Sequence, residues 1–381
     1  MEQKKLLYFS VVDVEGKGFA GVSKKVRGQV EAFQNLGFDT YLLCFASSEL
    51  VLFHGEEKTV YRHFSFCGFH RTLQLYGHLS DLCRENHFDI LYIRYPLCDW
   101  WFYRALAKSR ENIGKIILEI PTYPYDVENE KNHNWVTQFC LRQDRYLRYK
   151  LNHLVDLIVT YGNVKENRIF DIPACVIYNS VPAKTCQKLH KEPHETLNFI
   201  AVANLMFHHR YDKVLRGMAE YLKQQDADQR LRFHIVGDGP EKKNLANLTN
   251  ELELSKYVFF HGIQTGDNLM ELYKQADLGL VEFEQITDSN RIAIIDCLKY
   301  SEYCSIGLPH ASSALHSCYP CNSSFFCLAN TDERAVDIRQ LVDFAKSVNL
   351  NQAQEDMYEI VMNNLTWDHS MKHVLNVCMN L

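Results

Sequence analysis

The densest group of side chains with a chemical use is His208-His-Arg-Tyr-Asp-Lys213, which follows the apolar run Leu197–Ala203. Two imidazoles and two cations at a strand end suit a bound diphosphate; a solvated turn is the other reading. Adjacent histidines point in divergent directions and no carboxylate completes a ligand set, so no metal is expected. Lys299 and Glu302 form a second group, three apart on one face if Asp296–Ser305 is helical. There an ammonium could meet phosphate while a carboxylate accepts from ribose hydroxyls, or the two could form a surface ion pair. Gly237-Asp-Gly-Pro240 closes a strand and opens a helix, with Pro240 suited to the first turn. Gly16, Gly18 and Gly21 have the spacing of a dinucleotide loop, and their backbone could approach an anion at a helix start. That loop lies too far from its strand, carries Lys17, and lacks an acidic ribose ligand after the second strand, which argues against nicotinamide chemistry. Cys318-Tyr-Pro-Cys321 has metal or redox spacing but no second pair, and reads as a turn near the surface.

These groups need a scaffold, and the apolar periodicity spells one. Strand Lys5–Val12, a glycine loop, a helix with Val26, Val30 and Phe33 on one face, and strand Asp39–Phe45 open a parallel sheet. Further strands are predicted at Thr59–Phe64, Ile90–Tyr95, Lys115–Glu119, Leu157–Thr160 and Ala174–Ile177, with helical stretches at Leu73–Arg84, Trp100–Ser109 and Trp135–His153. The polar stretch Lys184–Glu195 reads as a linker. The pattern restarts with strand Leu197–Ala203, helix Tyr211–Leu222, strand Leu231–Val236, helix Pro240–Leu252 and strand Tyr257–Phe260. Helix Leu269–Ala276, a strand around Leu278–Glu282, helix Asp296–Ser305 and strand Ser323–Leu328 continue it. The final stretch Trp367–Met379 carries an apolar stripe of Met371, Val374, Leu375 and Cys378 that needs a partner face.

The expected domains are therefore residues 1–182, residues 190–365, and a terminal helix in 366–381 packing back on the first. A chain of 381 residues exceeds what one core supports, so two α/β domains are the first expectation. The net charge of −6 gives no global field for a polyanion, which argues against nucleic acid. Thirteen scattered cysteines, several inside apolar runs, fit reduced core thiols and a cytoplasmic setting. The run Leu6–Val12 is too short for a secretion signal or a span. Trp100-Trp-Phe-Tyr103 reads as buried packing, with an interface or a face toward lipid as the alternative.

In order and spacing, several pieces together resemble the retaining glycosyltransferases of family 4, whose fold is GT-B: two Rossmann-like domains facing each other across a cleft. They are Gly21-Val-Ser-Lys-Lys-Val-Arg-Gly-Gln-Val-Glu-Ala-Phe33 with Leu36-Gly-Phe38, Val176-Ile-Tyr-Asn-Ser180, Phe233-His-Ile-Val-Gly-Asp-Gly-Pro240, Phe260-His-Gly262 and Leu298-Lys-Tyr-Ser-Glu-Tyr-Cys-Ser-Ile-Gly-Leu-Pro309. Tyr211-Asp-Lys213 and the loop Glu119–Asp126 are similar to a capsule and exopolysaccharide subgroup.

The resemblance implies a retaining hexosyltransferase using a nucleotide sugar, with a lean to UDP, and no further cofactor. It implies a glycan or lipid-linked oligosaccharide acceptor and peripheral contact with the inner face of a membrane. Donor binding carries onto Gly21, Gly237, Lys299 and Glu302, and the acceptor side onto Glu119, Tyr123 and Tyr125. The family's arginine and lysine facing the diphosphate correspond to Asn204 and His209, so Arg210 and Lys213 are the expected catalytic cations, closer to the diphosphate than His209. A family glutamate eight residues before Glu302 is Ile294 here. A nucleotide-sugar epimerase of the same fold and a non-catalytic nucleotide-sugar-binding subunit are the competing readings.

Overall fold

A strand that is apolar at consecutive positions must be covered on both faces, and Leu6-Leu-Tyr-Phe9 is such a run. In the computed structural model all four side chains are fully buried. It describes residues 3–16, 20–64, 69–125, 135–162, 164–191, 194–284, 296–319 and 322–381. The expectations placed on Lys17, Gly18, Asp126, Ile294 and Cys321 lie outside the described residues. The chain divides into two units, Met1–Pro182 with Thr366–Leu381, and Ala183–Leu365.

The first unit runs β1 (Lys5–Asp13), α1 (Ala20–Asn35), β2 (Asp39–Ala46), β3 (Glu49–His54), β4 (Glu57–His63), α2 (Phe69–Glu85), β5 (Phe88–Arg94) and α3 (Trp100–Ser109). It continues with β6 (Ile113–Ile120), α4 (Trp135–Leu147), β7 (Leu157–Tyr161), β8 (Arg168–Ile169) and β9 (Ile172–Ile177). The second unit has β10 (Leu197–Val202), α5 (Tyr211–Tyr221), β11 (Leu231–Val236), α6 (Lys242–Glu251), β12 (Val258–Gly262), α7 (Gly266–Gln275) and β13 (Leu278–Leu280). There follow α8 (Leu298–Ser305), β14 (His310–Ser312), β15 (Phe326–Leu328), α9 (Ile338–Ser347) and α10 (Leu350–Asn364), before α11 (Trp367–Met379) in the first unit.

The first sheet has the order β4-β3-β2-β1-β5-β6-β7-β9-β8. Strands β2, β1, β5, β6, β7 and β9 pair in parallel, while β3 and β4 extend the edge as an antiparallel hairpin. Because side chains alternate, β1 feeds two cores. Leu7 and Phe9 join Leu75, Tyr76, Leu79 and Phe102, whereas Leu6 and Tyr8 join Val26 and Phe33 of α1 with Trp367, Met371, Val374 and Cys378 of α11. The terminal stripe thus finds its partner face on α1 and the sheet. Thr366 caps α11 by accepting from the His369 N–H at 3.3 Å, and the Trp367 N–H donates to the Val181 carbonyl at 3.0 Å. A Cβ on Gly28 would stand 2.5 Å from the Trp367 ring, so the glycine admits the indole.

The second sheet, β12-β11-β10-β13-β14-β15, is parallel throughout. Its core joins Phe199, Ala201, Phe233 and Ile235 to Val214, Leu215 and Met218 of α5 and to Ile338, Leu341 and Val342 of α9. One expectation is corrected here. The cluster at Trp100–Tyr103 is not uniformly buried: Asp99 caps α3 through the Phe102 N–H, Phe102 points into the core, and Trp100 and Trp101 are left exposed.

Trp367 is 1% exposed, and truncating such a side chain costs about 3–5 kcal/mol. Trp367→Ala is therefore expected to lower unfolding stability by that amount in denaturant titrations. A loss below about 1 kcal/mol would mean that α11 is not integral to the first unit.

Candidate functional site

In an open parallel sheet, ligands bind beyond the strand C-termini where the strand order reverses. In the second unit the chain leaves β10 toward β11 and β12, then returns on the other side of β10 at β13. The reversal point lies between β10 and β13.

Three close backbone approaches shape the loop after β10. Gly237 has φ +124°, and a Cβ there would overlap the Ala203 carbonyl oxygen, so only glycine fits. Gly239 has φ +154°, and its Cβ would lie 2.6 Å from both the N and O of Leu205. The Leu205 N–H donates to the Asp238 carbonyl at 2.8 Å. Gly237 therefore positions the loop by packing under it, whatever else it does for a ligand. The loop then makes a 3-10 turn over Phe207–His209 and enters α5 through Arg210, whose φ of +52° is left-handed.

That turn presents His209, which is buried and held from four directions. Tyr211 stacks on the ring at 5.3 Å between centroids, and its hydroxyl donates to the Val281 carbonyl at 3.0 Å. The Phe283 N–H donates to the His209 carbonyl at 3.0 Å, tying the turn to the segment after β13. On the ring, the Met206 N–H lies 3.2 Å from Nδ1, and Lys299 Nζ lies 2.9 Å from Nε2. Burial, then Lys299, then His208 push the His209 pKa down to about 2, so the ring is neutral. A neutral imidazole has one acceptor nitrogen, and two donors face it. Lys299 can therefore turn to an incoming anion while the ring stays paired with the Met206 N–H.

Glu282 was not singled out from the sequence. It sits just past β13, is 6% exposed, and burial raises its carboxyl pKa while the Lys299 ammonium opposes that rise. Its backbone carbonyl accepts from Ser312 Oγ and the Ser313 N–H, both at 3.0 Å, which fixes the strand end. A charged residue closing Leu278-Gly-Leu-Val was the available signal. A cation, a neutral imidazole and a buried carboxyl thus meet at the reversal point, a set able to hold an anion and to exchange a hydrogen bond with a hydroxyl.

The other expected site residues fall as follows. Lys213 is 1% exposed, and its ammonium donates to the Asp332 carbonyl at 2.7 Å. This corrects the role expected for it: its charge holds the loop before α9, and a phosphate would have to break that contact. Arg210 makes a two-point ion pair with Asp212 at 3.0 and 3.1 Å. Lys299, not Lys213, is the ammonium on His209. Glu302 lies one turn after Lys299, half-buried, and its charge helps to raise the Tyr273 and Tyr303 pKa values after burial.

In the first unit Gly21 is in the exposed first turn of α1, with open space where a Cβ would be. Glu119 is corrected: it is fully buried, bound by Arg94, by Tyr92 Oη at 2.8 Å and by Gln29 Nε2 at 2.7 Å, so it braces the central strands of the sheet and is closed to an acceptor. Tyr125 is also buried, donating to Asp144 at 2.7 Å, and Tyr123 is half-buried against Phe170. Burial raises the Cys318 thiol pKa to about 12. Among the described residues no three His, Cys, Asp or Glu side chains stand where they could hold a metal.

Residues 185–283, which include His209, Gly237 and Glu282, match the family described as Glycosyl transferases group 1. No curated protein matches the chain. Among solved structures it is similar to a glycosyltransferase from Rickettsia africae, with TM-score 0.65 and 13% identity over 100% of this chain and 99% of that one. It is similar to sucrose-phosphate synthase from Thermosynechococcus elongatus, with TM-score 0.65 and 11% identity over 99% of both chains. The pneumococcal O-GlcNAc transferase solved with UDP and GlcNAc has TM-score 0.58 and 10% identity over 100% of both chains. These likenesses give the fold as GT-B.

His209 and the fully buried His310, whose pKa burial pushes down to about 3, both stay neutral in the folded unit. Below about pH 6.5 the unfolded rings take protons that the folded rings refuse, so stability falls as pH falls. The expected slope is about 1.4 kcal/mol per pH unit for each ring between about pH 6 and 4. Denaturant midpoints across this range should show it, and His209→Gln should flatten the slope by one ring's share; an unchanged slope would mean that His209 is not held neutral.

Proposed function

We propose that the chain transfers a hexosyl group from a nucleotide-diphosphate sugar, UDP-linked, to a glycan or lipid-linked glycan, with retention and without a metal. The observation that supports this most is Lys299 resting on neutral His209 at the reversal point, against the segment that matches group 1. When the bond from the anomeric carbon to the diphosphate breaks, negative charge grows on the departing oxygen, and a prepositioned cation stabilises it. Lys299 fills that role by leaving the ring, and Arg210 adds a second positive charge at the start of α5. The acceptor hydroxyl attacks from the face the diphosphate leaves, and its proton passes to a phosphate oxygen. Glu302 accepts from the ribose hydroxyls, whose two O–H groups match one carboxylate. The resemblance of Tyr211-Asp-Lys213 and of the sequence Glu119–Asp126 to a capsule and exopolysaccharide subgroup supports a place in polysaccharide assembly at the cytoplasmic side of a membrane.

A second reading, a nucleotide-sugar-binding subunit without turnover, draws on one feature: Arg210 and Lys213 are both engaged within the protein. Incubation with a panel of nucleotide sugars, reading thermal stabilisation and then transfer to glycan acceptors, separates the two. Stabilisation with no transfer to any acceptor favours the second.

Lys299→Met is expected to weaken free UDP by about ten- to a hundredfold, the size of a lost charge-assisted bond. Glu302→Gln should fall in the same range. Lys213→Met should lower stability by about 1–3 kcal/mol and leave UDP affinity within about threefold, because its bond is internal. Calorimetric titration of the three proteins reads this directly, and equal loss in Lys213→Met and Lys299→Met would reverse the assignment.

A further inference from the structure

At the reversal point Glu282 is a charged group that the fold leaves unanswered. It is 6% exposed, yet no described residue hydrogen-bonds its carboxyl. The hydroxyls around it give their protons elsewhere. Tyr211 donates to the Val281 carbonyl at 3.0 Å, Tyr300 to the Ala314 carbonyl at 2.9 Å, and Ser312 to the backbone carbonyl of Glu282 itself at 3.0 Å. A carboxyl buried without a donor destabilises a fold, so its presence points to a ligand that brings the donor. Its place follows from its neighbours. Burial raises the Cys297 thiol pKa to about 11, the Lys299 ammonium opposes that rise and Glu282 adds to it, so both charges reach the residue that precedes α8. Lys299 follows in the first turn of the helix and Glu302 one turn later. The order along α8 is thus Glu282 at its start, then the ammonium, then the second carboxylate.

We propose that Glu282 reads the hexosyl group of the donor, its carboxylate accepting hydrogen bonds from hydroxyls of the sugar ring. This rests on the transfer reaction proposed above. A nucleoside diphosphate sugar carries a hydroxyl-bearing ring at each end of its diphosphate. With the phosphates on Lys299 and the ribose on Glu302, the hexosyl ring falls to the carboxylate at the other end of the row. The chemistry agrees: an ionised carboxylate only accepts, each sugar hydroxyl donates, and a phosphate oxygen at this place would be repelled. The Lys299 ammonium favours the ionised form of Glu282 against the burial that opposes it. A carboxylate that served only to steer Lys299 would alter the hold on the diphosphate, which every such nucleotide carries. One that reads the hexosyl ring alters only what the sugar adds.

The test is calorimetric titration of free UDP, UDP-glucose, UDP-galactose and UDP-N-acetylglucosamine into the full chain and into Glu282→Gln. The readout is the affinity for the sugar that binds best, relative to free UDP. That ratio should fall about tenfold or more in the variant, the size of a lost charge-assisted bond, while free UDP binds no worse. Deoxyfluoro forms of the same donor replace one ring hydroxyl at a time by fluorine, which cannot donate. At the positions Glu282 holds they should lose about as much on the unsubstituted chain and little on Glu282→Gln. Glu282→Leu should leave the denaturant midpoint unchanged or higher, because the carboxyl it removes has no partner in the described fold. A lower midpoint would make Glu282 a structural residue, and an equal change for UDP and UDP-sugar would make it a partner of Lys299 alone. Either overturns the proposal and leaves the transfer reading standing. If the unsubstituted chain binds neither UDP nor any of the three sugars, the transfer reading fails and this proposal with it.

Discussion

The site in the second unit depends on one steric constraint: the loop after β10 lies directly on the backbone of Gly237 and Gly239, where no side chain fits. That contact brings the Ala203–Leu205 segment down onto the end of β11, and the chain has to climb from there into α5. The short turn carrying His209 is the result, and the left-handed Arg210 is the joint that completes it. Because the turn is low and packed, His209 is buried. Because it is buried, it is neutral, and because it is neutral it can hold only one of the two donors facing it. The freedom of Lys299 to change partners thus begins with a missing Cβ two strands away.

The first unit solves the opposite problem. Glu119 carries its charge into a fully buried position, where an unpaired carboxylate would cost several kcal/mol. Arg94 from the neighbouring strand, Tyr92, and Gln29 from α1 close around it, and Gln29 in turn accepts from Tyr8 at 2.6 Å and donates to Tyr161 at 2.9 Å. The network ties α1 to the four central strands β1, β5, β6 and β7 and leaves the carboxylate closed to ligands.

How much of this the sequence announces depends on distance along the chain. The alternation of strand and helix was legible because each segment carries its own period: Leu6–Phe9 as a two-sided strand, and Met371, Val374 and Cys378 as a stripe. The strand Glu49–His54 was missed because it abuts β2 with only a tight turn between them. His310–Ser312 was missed because three residues after Gly307-Leu-Pro309 are too few to show a period. Site residues fared by the same rule. Lys299 stood out by type and place, whereas His209 read as a missing charge because its partner is 90 residues away. The burial of Glu119 was invisible for that reason too: Gln29, Tyr92 and Arg94 come from separate elements.

The way α11 belongs to the first unit has a consequence for biosynthesis. All of Ala183–Leu365 lies between β9 and the helix that covers Val26, Phe33 and Tyr8 on that side of the first sheet. A ribosome delivers the second unit entire before it delivers Trp367, so the second unit can finish folding while one layer of the first is still unmade. Until then Gly28 and its neighbours present an open apolar groove, and a chain broken off anywhere within the inserted unit would keep it open, marked for chaperone or protease.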